Sequence, residues 1–545
     1  MKHCPYYDIT YYDTLRDALV DMGRRYGDKP AVTWYDRAGG EHTHSYEELL
    51  CQSAAIARAL SENGLAGRHV AIASENCFAW LCAFWGITAA GGVAVLIDID
   101  QAEDRLCSSI ARGGAQLVIA SNSIAPLVRR CVEETGARLV CVEEYPNGES
   151  LGEFMGKIPS KEEALALLAR FSIQPGQTAA IAYTSGTSSL PKPVMLTHSG
   201  LARNASESIA MVRPSERVFS SLPLYHTYGL TCGALCILFS GARLGINGDV
   251  KRMARDLMLF DPQIMMAVPL MVEMLYKRVM LHLEQAGGKN WAERKLAWFD
   301  RRARLGICRP VKELVQTKEQ FLGQLRQIVC GGAHLSHSVA LHMEALGVVV
   351  LEGYGITECA PLVSVNRLCQ RKRHSVGKPL PSYQVRVEQG EILVRGPSLM
   401  QGYYQDPQAT KEVMDGEWFR TGDMGRLDRH GFLMITGRKK NLIVLKNGKK
   451  IAPEEIEGYV MELPLVKEVV AHSAPSGDSA DDVRLAVTVY PDEAAMKDMT
   501  AYEVLERIQR QVDDINSRLP AYKQIQMVNL RTNEFDKTAS HKIKR

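Results

Sequence analysis

The chain has 545 residues, which is more than a single hydrophobic core usually supports, so its length predicts more than one domain. Its apolar fraction of 46% and charged fraction of 23% are ordinary for a soluble globular protein. The formal net charge of +3 is nearly balanced, so the composition implies neither a nucleic-acid partner nor a membrane partner.

The cysteines and the N-terminal residues indicate the cellular compartment of the protein. Thirteen cysteines, an odd number, are scattered along the chain without a Cys-x-x-Cys pair. This pattern predicts free thiols in a reducing cytosol rather than a disulfide framework. The N-terminal residues carry no apolar stretch typical of a secretion signal. We therefore expect a cytoplasmic protein.

One segment is long enough to span a bilayer. Phe78–Ile97 has twenty residues and no charge. However, Gly91 and Gly92 interrupt it, and the apolar residues that follow are rich in β-branched side chains. We therefore predict a buried helix, a glycine turn and a buried parallel strand, and no transmembrane segment.

The first two thirds of the chain alternate helical patterns with short apolar runs. Such alternation predicts an α/β fold built on doubly wound, mostly parallel sheets. The predicted helices include Thr14–Arg25, Tyr46–Asn63 and Glu103–Arg112. The predicted strands are His69–Ala73, Val93–Ile97, Gln116–Ile119, Arg138–Val142, and residues 179–183, 217–222, 243–246, 264–268, 327–330 and 348–351.

From residue 383 the pattern changes to hairpin spacing. Tyr383–Val387 and Glu391–Arg395 flank a turn at Gly390, and residues 416–436 alternate with glycine turns. We therefore predict a small antiparallel β subdomain. A second change falls at Gly437, and the last ~105 residues have a separate strand–helix pattern typical of a small α+β domain.

The most distinctive stretch is Ile181–Thr197. An apolar run leads into Thr184–Leu190, in which five of the seven residues are Ser or Thr and one is Gly, and Lys192 follows. Such a loop predicts an anion site, because backbone N–H groups can approach closely, hydroxyls add donors and the lysine adds charge. It is not a Walker A loop, which needs a glycine directly before the lysine. Taken alone, the stretch could equally form an exposed surface turn.

Further motifs follow this loop in one order. They are Leu222–His226, Cys330–Ala333, Leu351–Glu358, Trp418–Asp423, Gly437–Lys440 and Ile451–Glu457. In this order they resemble the core motifs of the adenylate-forming superfamily, which includes acyl-CoA synthetases, nonribosomal peptide adenylation domains and firefly luciferase. The resemblance runs from Tyr46 to Arg545. Within the superfamily, Glu358–Asn366 and Gly437–Asn441 are most similar to medium- and long-chain fatty acid–CoA ligases.

The resemblance implies a two-step reaction. ATP-dependent activation of a fatty acid would give acyl-AMP and pyrophosphate, and the thiol of CoA would then take the acyl group and release AMP. ATP, CoA and Mg²⁺ are the expected cosubstrates and cation. The first step brings two anions together, so it needs charge neutralisation and positioning rather than a protein nucleophile.

The resemblance also assigns residues to the phosphates and the metal ion. The implied ligands of the β- and γ-phosphates are Thr184, Ser185, Gly186, Thr187 and Lys192. Thr357 would contact the α-phosphate, and Glu358 would hold Mg²⁺, a hard cation suited to a carboxylate and phosphate oxygens.

The base and the ribose have implied partners too, which are Gly332, Ala333, Tyr354, Gly355, Asp423 and Arg438. Tyr354 would pack against adenine, and Asp423 would accept two hydrogen bonds from the ribose diol, assisted by Arg438. Standing alone, Asp423 would be an ordinary turn aspartate. His226 matches the position that borders the carboxylate and the acyl channel, although a lone histidine is usually a core or surface group.

The end of the chain resembles the closing motif of the family. Lys542 matches the lysine that bridges the carboxylate and the α-phosphate during adenylation. The expected domains are therefore residues 1–437, which bind AMP and the acyl group, and a mobile domain of residues 438–545. The mobile domain would rotate about a hinge at Lys440 between the two steps.

Some residues depart from the family pattern. Ser188 and Ser189 replace the usual Thr-Gly, and Pro193 and His541 replace glycines. These changes leave open a degenerate adenylate-binding protein without turnover. A third hypothesis keeps the adenylation but transfers the acyl group to the phosphopantetheine arm of a stand-alone carrier protein.

Two further stretches bear on substrate and surface. The floor of the acyl pocket is bracketed by Gly229–Ala234, Met265–Met271 and Ile328–Gly332. His334 and His337 are only a pair, so we predict no structural zinc there. The basic stretch Ala286–Lys312 could form a phosphate or membrane-surface patch, but we favour an amphipathic helix that buries its aromatic residues, because such helices are common.

Overall fold

The computed structural model describes residues 4–146, 148–184, 191–445, 449–475, 483–492, 496, 499–536 and 543. In chain order the strands are β1 (Pro30–Tyr35), β2 (Glu41–Ser45), β3 (His69–Ala73), β4 (Val93–Leu96), β5 (Leu117–Ala120), β6 (Arg138–Cys141), β7 (Glu149–Ser150), β8 (Thr178–Tyr183), β9 (Pro193–Thr197), β10 (Arg217–Ser220), β11 (Arg243–Ile246), β12 (Ile264–Ala267), β13 (Gln327–Cys330), β14 (Val349–Gly355), β15 (Leu362–Val365), β16 (Lys378–Pro379), β17 (Gln384–Glu388), β18 (Glu391–Arg395), β19 (Gly402–Tyr403), β20 (Met414–Asp415), β21 (Trp418–Leu427), β22 (Leu433–Arg438), β23 (Ile443–Val444), β24 (Lys450–Ile451), β25 (Val466–Pro475), β26 (Val483–Pro491) and β27 (Met527–Leu530).

The helices are α1 (Leu15–Tyr26), α2 (Tyr46–Glu62), α3 (Phe78–Ala89), α4 (Glu103–Arg112), α5 (Ala125–Thr135), α6 (Leu151–Met155), α7 (Lys161–Leu168), α8 (His198–Met211), α9 (Cys236–Phe239), α10 (Met253–Phe260), α11 (Pro269–Gly287), α12 (Lys289–Arg304), α13 (Lys312–Leu322), α14 (His337–Ala345), α15 (Pro407–Val413), α16 (Pro453–Met461) and α17 (Ala501–Asn516). A π-helix (Tyr228–Leu235) precedes α9, and short 3-10 turns cover Thr357–Cys359 and Lys439–Asn441.

Two large sheets organise the chain before residue 404. In the described part of the chain, the first has nine strands in the order β16-β15-β14-β13-β12-β10-β11-β1-β2. Its strands from β14 to β1 are parallel, and β15, β16 and β2 are antiparallel to their neighbours. The second has eight strands in the order β19-β9-β8-β4-β3-β5-β6-β7, parallel from β8 to β7. The predicted α/β fold with doubly wound parallel sheets is confirmed.

Most of the predicted strands agree closely with the observed ones. The runs at 243–246 and 327–330 coincide with β11 and β13. The run predicted at 348–351 is longer in the structure, because the end of β14 pairs with antiparallel β15, with Gly353 opposite Val365. The hairpin of β1 and β2 was not predicted, since β2 is a polar edge strand without an apolar pattern.

The charge-free segment Phe78–Ile97 folds as expected into helix α3, a turn and strand β4. Helix α3 is buried on every side, including Trp80, Phe84 and Trp85. It lies close against α2, because a Cβ on Gly86 would come within 2.6 Å of the Cβ of Ile56. No helix among the described residues combines the length and the apolar character needed to cross a bilayer.

The later part of the chain is built differently. Strands β17, β18, β20, β21 and β22 form an antiparallel sheet. After it, β25, β26 and β27 form a three-stranded sheet whose buried side chains share a core with helices α16 and α17. This core, which includes Ile456, Val487 and Ile508, is separate from the main core of the chain.

The cysteines depart from expectation at one place. Cys4 and Cys369 are joined by a disulfide, while the other eleven are free. The prediction of free thiols was therefore wrong for this pair, because the fold brings together two residues 365 positions apart. Arg367 lies beside the bridge and donates hydrogen bonds to the carbonyls of Cys4, Pro5 and Met211.

Candidate active site

A cleft of about 1580 Å³ contains most of the residues that the motifs singled out. It opens where strands β8, β12, β13 and β14 end, and strands β21 and β22 and helix α16 complete its walls. Ligands in open α/β folds bind at the carboxyl ends of parallel strands, so the position is typical of a ligand site. The predicted residues that line it are Thr184, Lys192, His226, Gly332, Ala333, Tyr354, Gly355, Thr357, Glu358, Asp423, Arg438 and Lys440.

Some predicted residues lie outside the described part of the chain. They are Ser185, Gly186 and Thr187 of the hydroxyl-rich loop, and Lys542 near the end of the chain. The residue next to Lys542, Ile543, is described and lines the cleft.

Thr184 and Lys192 hold the two ends of the hydroxyl-rich loop together. The N–H of Thr184 donates to the carbonyl of Lys192 at 3.1 Å, and the N–H of Lys192 donates to the Thr184 hydroxyl at 3.0 Å. The ammonium of Lys192 lies 4.6 Å from the ring centroid of Tyr403, a cation–π distance. The lysine charge therefore lies against the face of the Tyr403 ring.

Asp423 is held between two predicted residues. The Tyr354 hydroxyl donates to Oδ2 of Asp423 at 2.6 Å, and Nε of Arg438 lies 2.9 Å from Oδ1. Asp423 and Arg438 are opposite each other in the β21–β22 ladder, so the pair is built into the sheet register. The Asp423 side chain is only 4% exposed, and its N–H is fixed by the hydroxyl of Thr421 at 3.0 Å. Such a carboxylate is not an ordinary turn residue.

Glu358 lies on the 3-10 turn that follows β14. Its Oε1 accepts a hydrogen bond from the hydroxyl of Tyr403 at 2.9 Å, and its carbonyl accepts one from the N–H of Met400 at 2.8 Å. Burial raises the pKa of the Glu358 carboxyl, while the Tyr403 hydrogen bond and the charge of Arg438 lower it. The site therefore desolvates an acidic side chain that a cation would stabilise.

The turn that carries Glu358 is anchored by a residue that the sequence analysis missed. The amide of Asn204, on helix α8, donates to the carbonyls of Cys359 and Leu362 at 3.0 and 2.9 Å. Its Oδ1 accepts from the N–H of Leu362 at 3.1 Å. Asn204 is fully buried, so these three bonds satisfy a side chain that would otherwise be costly to bury. A polar residue in an otherwise buried helix was the available signal.

Gly332, Ala333 and Gly355 provide space near Tyr354. Gly332 has a φ of +93°, which L side chains rarely adopt. A Cβ on Gly355 would come within 2.6 Å of the carbonyl of Pro361, so only glycine fits there. A flat ligand can therefore approach the backbone beside the Tyr354 ring.

Glu352 is a second residue that the sequence analysis missed. It precedes Tyr354 by two positions on β14, which puts both side chains on one face of the strand, and both line the cleft. Burial raises the pKa of the Glu352 carboxyl to about 7. A carboxyl in a glycine-bearing strand end next to Tyr354 was the signal that pointed to it.

His226 lies two residues before a π-helix, which begins at Tyr228. Its N–H donates to the carbonyl of Pro223 at 3.1 Å, and its carbonyl accepts from the N–H of Leu230 at 2.9 Å. A Cβ on Gly229 would come within 2.0 Å of the Pro223 carbonyl, so the π-helix packs directly on the motif. Tyr228, the first residue of the π-helix, donates a hydrogen bond from its hydroxyl to the carbonyl of Val329 on β13 at 2.9 Å. π-Helices are rare and are frequent at functional sites.

Part of the cleft lining is apolar, and we call this part the apolar arm. Its lining includes Val212, Pro214, Val218, Cys232, Cys236, Ile237, Ile264 and Met266. Parts of all three segments expected at the pocket floor line the cleft, namely Gly229 and Cys232, Met266 and Val268, and Val329–Gly332. The contribution of α8 and β10 was missed, because these elements follow other motifs in sequence and meet the arm only in the fold.

Three histidines line another part of the cleft. They are the predicted pair His334 and His337, together with His374. The rings of His337 and His374 stack with centroids 4.1 Å apart. Burial and the neighbouring histidines lower the pKa of His337 to about 4. His337 is therefore neutral at neutral pH, and burial lowers the pKa of His334 as well.

Lys440 lies in the 3-10 turn after β22, at the junction with the C-terminal part of the chain. Its neighbours hold both sides of the junction. The Lys439 ammonium lies 2.8 Å from Glu391, and the Asn441 amide donates to Glu454 on α16 at 2.5 Å.

Comparison with known proteins bears on these observations. Residues 20–404 match the family model of the AMP-binding enzymes, and residues 440–545 match that of the AMP-binding enzyme C-terminal domain. A long-chain-fatty-acid–CoA ligase of Salmonella typhimurium is 29% identical over 555 aligned positions, covering 91% of each chain. The long-chain-fatty-acid–CoA ligase FadD15 of Mycobacterium bovis is 28% identical and covers 70% of each chain.

Solved structures share the fold. The anthranilate CoA ligase AuaEII in complex with anthranoyl-AMP superposes with a TM-score of 0.79 at 20% identity, covering 98% of this chain and 96% of that one. ATP-bound MatB from Rhodopseudomonas palustris superposes with a TM-score of 0.76 at 24% identity, covering 98% of this chain and 97% of that one. With two family models covering nearly the whole sequence, the chain belongs to the AMP-binding enzymes of the adenylate-forming superfamily.

Proposed function

We propose that the protein is a fatty acid–CoA ligase that forms AMP. The observation that carries this proposal is a single cleft lined by a clamped carboxylate, Asp423, by Lys192 and by the apolar arm. A nucleotide needs the first two features, and an unbranched acyl chain needs the third. The long-chain-fatty-acid–CoA ligases among the relatives support the same substrate class.

The nucleoside binds between Tyr354 and the Gly332–Ala333 backbone. Asp423 accepts hydrogen bonds from the ribose hydroxyls, and Tyr354 and Arg438 hold the carboxylate in place for them. Glu352 adds an acceptor for the exocyclic amine of adenine, since it lies on the same strand face as Tyr354. The raised pKa of Glu352 lets it stay in the cleft without a counter-ion.

The phosphates lie at the opposite end of the nucleotide. Thr184, the hydroxyl-rich loop and Lys192 hold the β- and γ-phosphates, and Thr357 contacts the α-phosphate. Mg²⁺ fits beside Glu358, because a buried carboxylate with phosphate oxygens is the ligand set that this hard cation prefers. When bound, the ion neutralises phosphate charge, and Tyr403 keeps the Glu358 carboxylate oriented.

The acid enters the apolar arm with its carboxylate beside His226. One carboxylate oxygen attacks the α-phosphorus of ATP, the bond to the bridging oxygen breaks, and pyrophosphate leaves. Lys542 neutralises the two anions during this step, an assignment supported by the position of Ile543 in the cleft lining. The hydrocarbon chain of the acid gains about 0.8 kcal/mol of binding free energy for each buried CH₂ group, which favours long acids.

Thioester formation follows in the second step. The CoA sulfur attacks the acyl carbonyl carbon, the bond to the phosphate oxygen breaks, and AMP leaves. We assign residues 1–437 to the domain that binds AMP and the acyl group, and residues 438–545 to the mobile domain. Lys440 acts as the hinge, because it lies between the paired neighbours Lys439 and Asn441 that join the two parts.

A panel of carboxylic acids tests the proposal. The purified chain is incubated with ATP, Mg²⁺ and each acid, and pyrophosphate release is measured with and without CoA. We expect release with fatty acids and little with anthranilate, the acid named for one structural neighbour. Absence of release with every fatty acid of roughly six or more carbons would overturn the substrate class.

The same assay separates the two alternatives. Transfer to a purified carrier protein that is faster than transfer to CoA would identify the phosphopantetheine arm as the acceptor. Binding of ATP by calorimetry without turnover of any acid would instead identify a non-catalytic adenylate-binding protein.

A further inference from the structure

Helix α12 and the segment after it concentrate positive charge. Between positions 289 and 309 there are seven Lys or Arg residues and only two acids, Glu293 and Asp300, whereas the whole chain has a net charge of +3. Both acids have partners, because Asp300 lies 3.3 Å from His342 on α14 and Glu293 lies 4.0 Å from Lys289. Lys295 is paired as well, at 2.6 Å from Glu313. The local excess therefore exceeds the net charge of the entire protein.

The inward face of α12 is a normal packing face. Ala292, Leu296, Phe299 and Ala303 are buried at helical spacing, and Phe299 has no exposed area. They pack against the main core together with α11 and α14. The expectation of an amphipathic helix was therefore sound for this side.

The outward face is not the polar surface that such a helix usually presents. Trp298 is 49% exposed and Leu305, just after the helix, is 79% exposed. At 3.6 residues per turn, Arg294, Trp298, Arg301 and Leu305 fall within about 60° of arc. The expectation that the helix buries its aromatic residues thus fails for Trp298, which projects from an arginine-lined stripe.

Three arginines on this stripe or beside it are available to a partner. Among the residues that the structure describes, Arg301, Arg302 and Arg304 form no ion pair, and Arg301 and Arg304 are exposed. Arg302 stacks on Trp298, with the guanidinium carbon 4.3 Å from the ring centroid. Ile307, which is 44% exposed, extends the apolar part of the surface.

We propose that this α12 face, formed by Arg294, Trp298, Arg301, Arg304 and Leu305, docks on the surface of an anionic lipid bilayer. Cationic side chains contact anionic head groups while Trp and Leu side chains enter the boundary between head groups and acyl chains. A nucleic-acid surface would use the arginines but would leave Leu305 and Ile307 exposed to water. The combination of charge and exposed aliphatic residues therefore favours a lipid surface.

The α12 face adjoins the cleft. Arg373, next to His374 of the cleft lining, donates to Sγ of Cys308 at 3.0 Å, and Cys308 follows Ile307. A docked molecule would therefore hold one rim of the cleft near the bilayer. The docking proposal rests on the surface alone and stands whichever acid the cleft activates.

Vesicle sedimentation with the full chain tests the docking. The vesicles contain either phosphatidylcholine alone or phosphatidylcholine with about a third of it replaced by phosphatidylglycerol. We expect sedimentation only with the anionic vesicles, and less of it at high salt, because ions screen surface charge. Each arginine near an anionic surface changes binding about fivefold, so the triple variant Arg301→Gln, Arg302→Gln, Arg304→Gln should weaken binding at least about tenfold. The double variant Trp298→Ser, Leu305→Ser should do the same without a change in charge.

Matched variants on helix α17 and just after it control for charge and hydrophobicity. Arg507→Gln, Arg510→Gln and Arg518→Gln remove three exposed charges elsewhere, and Tyr502→Ser removes an aromatic residue that is 75% exposed. These variants should bind vesicles like the wild type, and all variants should retain its circular dichroism spectrum. Equal loss in the α12 and α17 variants would overturn the proposal. So would tight binding to a DNA duplex with no binding to anionic vesicles.

Discussion

The hydroxyl of Tyr403 donates a hydrogen bond to Oε1 of Glu358 at 2.9 Å. The ring of the same tyrosine faces the Lys192 ammonium at 4.6 Å. Tyr403 therefore connects the lysine that follows the hydroxyl-rich loop in sequence with the carboxylate proposed to hold Mg²⁺. Its backbone is fixed as well, because β19 pairs with β9 and places Tyr403 opposite Val194.

Replacement of Tyr403 by Phe separates these two contacts. The variant keeps the ring beside Lys192 but removes the hydrogen bond to Glu358. A hydrogen bond to a charged group contributes about 1.5–3 kcal/mol, so pyrophosphate release should fall by about tenfold or more and need more Mg²⁺ for half-maximal rate. Tyr404→Phe, at the next position, is the matched control and should leave the Mg²⁺ dependence unchanged. An unchanged Mg²⁺ dependence in Tyr403→Phe would refute the positioning role.

Asp423 is predicted to recognise the ribose. Asp423→Asn retains the shape but replaces one acceptor oxygen by a donor, so the KM for ATP should rise about tenfold or more. A comparison of ATP with 2′-deoxyATP tests the ribose contact more directly than the KM for ATP alone. The wild type should discriminate against 2′-deoxyATP, and the variant should not, because the lost hydroxyl and the lost acceptor belong to one contact. Asp415→Asn, an exposed aspartate on the same antiparallel sheet, should behave like the wild type.

The sequence predicted elements better than contacts. Residues 243–246 and 327–330 were predicted end to end, because strands buried on both faces read as continuous apolar runs. The motif residues Tyr354, Asp423 and Arg438 were each identified, and the fold brings them within hydrogen-bond distance. The residues that hold the site in place, such as Asn204 and Tyr403, were not predicted from the sequence, because they come from remote segments.

Asn204 and Tyr403 illustrate that limit. Asn204 lies in a helix that reads as ordinary core, and Tyr403 lies in a two-residue edge strand. The only local signal for Asn204 is its polarity in a buried helix, and Tyr403 has none. Each acquires its role only when the chain places it against Cys359 or Glu358. The basic stretch Ala286–Lys312 was visible in the sequence, but the exposure of Trp298 on it was not, because only the fold decides which face of α12 is buried.

The width of the apolar arm should set the preferred length of the acid. Cys232 and Cys236 line the arm from successive turns and are almost fully buried. Cys236→Leu should fill space that the end of a long acyl chain occupies, so kcat/KM should fall for the longest acids and be kept for short ones. Each excluded CH₂ group costs about 0.8 kcal/mol, or roughly fourfold in kcat/KM. Cys107→Leu, at a half-buried cysteine outside the cleft lining, is the control. Loss at every chain length would show misfolding or a different acyl path.

Acid stability should depend on His198. Its side chain is fully buried on α8, and burial lowers its pKa from the usual 6.5 to about 4, with Asp17 and Arg16 on α1 as the nearby charges. The unfolded chain takes up a proton near pH 6.5 and the folded chain only near pH 4. The unfolded state therefore binds more protons between these values, and the free energy of unfolding should fall as the pH drops through this window. Above pH 6.5 the contribution is fully present.

The slope of the free energy of unfolding against pH can be measured. One proton changes the free energy of unfolding by up to about 1.4 kcal/mol per pH unit, which urea unfolding monitored by tryptophan fluorescence at several pH values can resolve. His198→Gln should flatten the slope between pH 6.5 and 4 while lowering stability at neutral pH, since it loses the hydrogen bond that His198 Nδ1 accepts from the N–H of Leu15 at 3.4 Å. Identical slopes in the wild type and His198→Gln would show that His198 does not govern the loss of stability between pH 6.5 and 4.

Lys542 should act in one half-reaction only. In the proposed mechanism its ammonium neutralises the carboxylate and the α-phosphate while the acyl-adenylate forms, but the second step uses a different orientation of residues 438–545. Lys542→Ala should therefore abolish pyrophosphate release with acid and ATP, yet largely retain thioester formation from supplied acyl-AMP and CoA. Lys544→Ala, two residues further on, removes the same charge and is the matched control. Equal loss of both half-reactions in Lys542→Ala would show that the lysine supports the fold or the closed domain arrangement in general. Retention of both would remove it from the mechanism, because no other group has been assigned to neutralise the two anions as they meet.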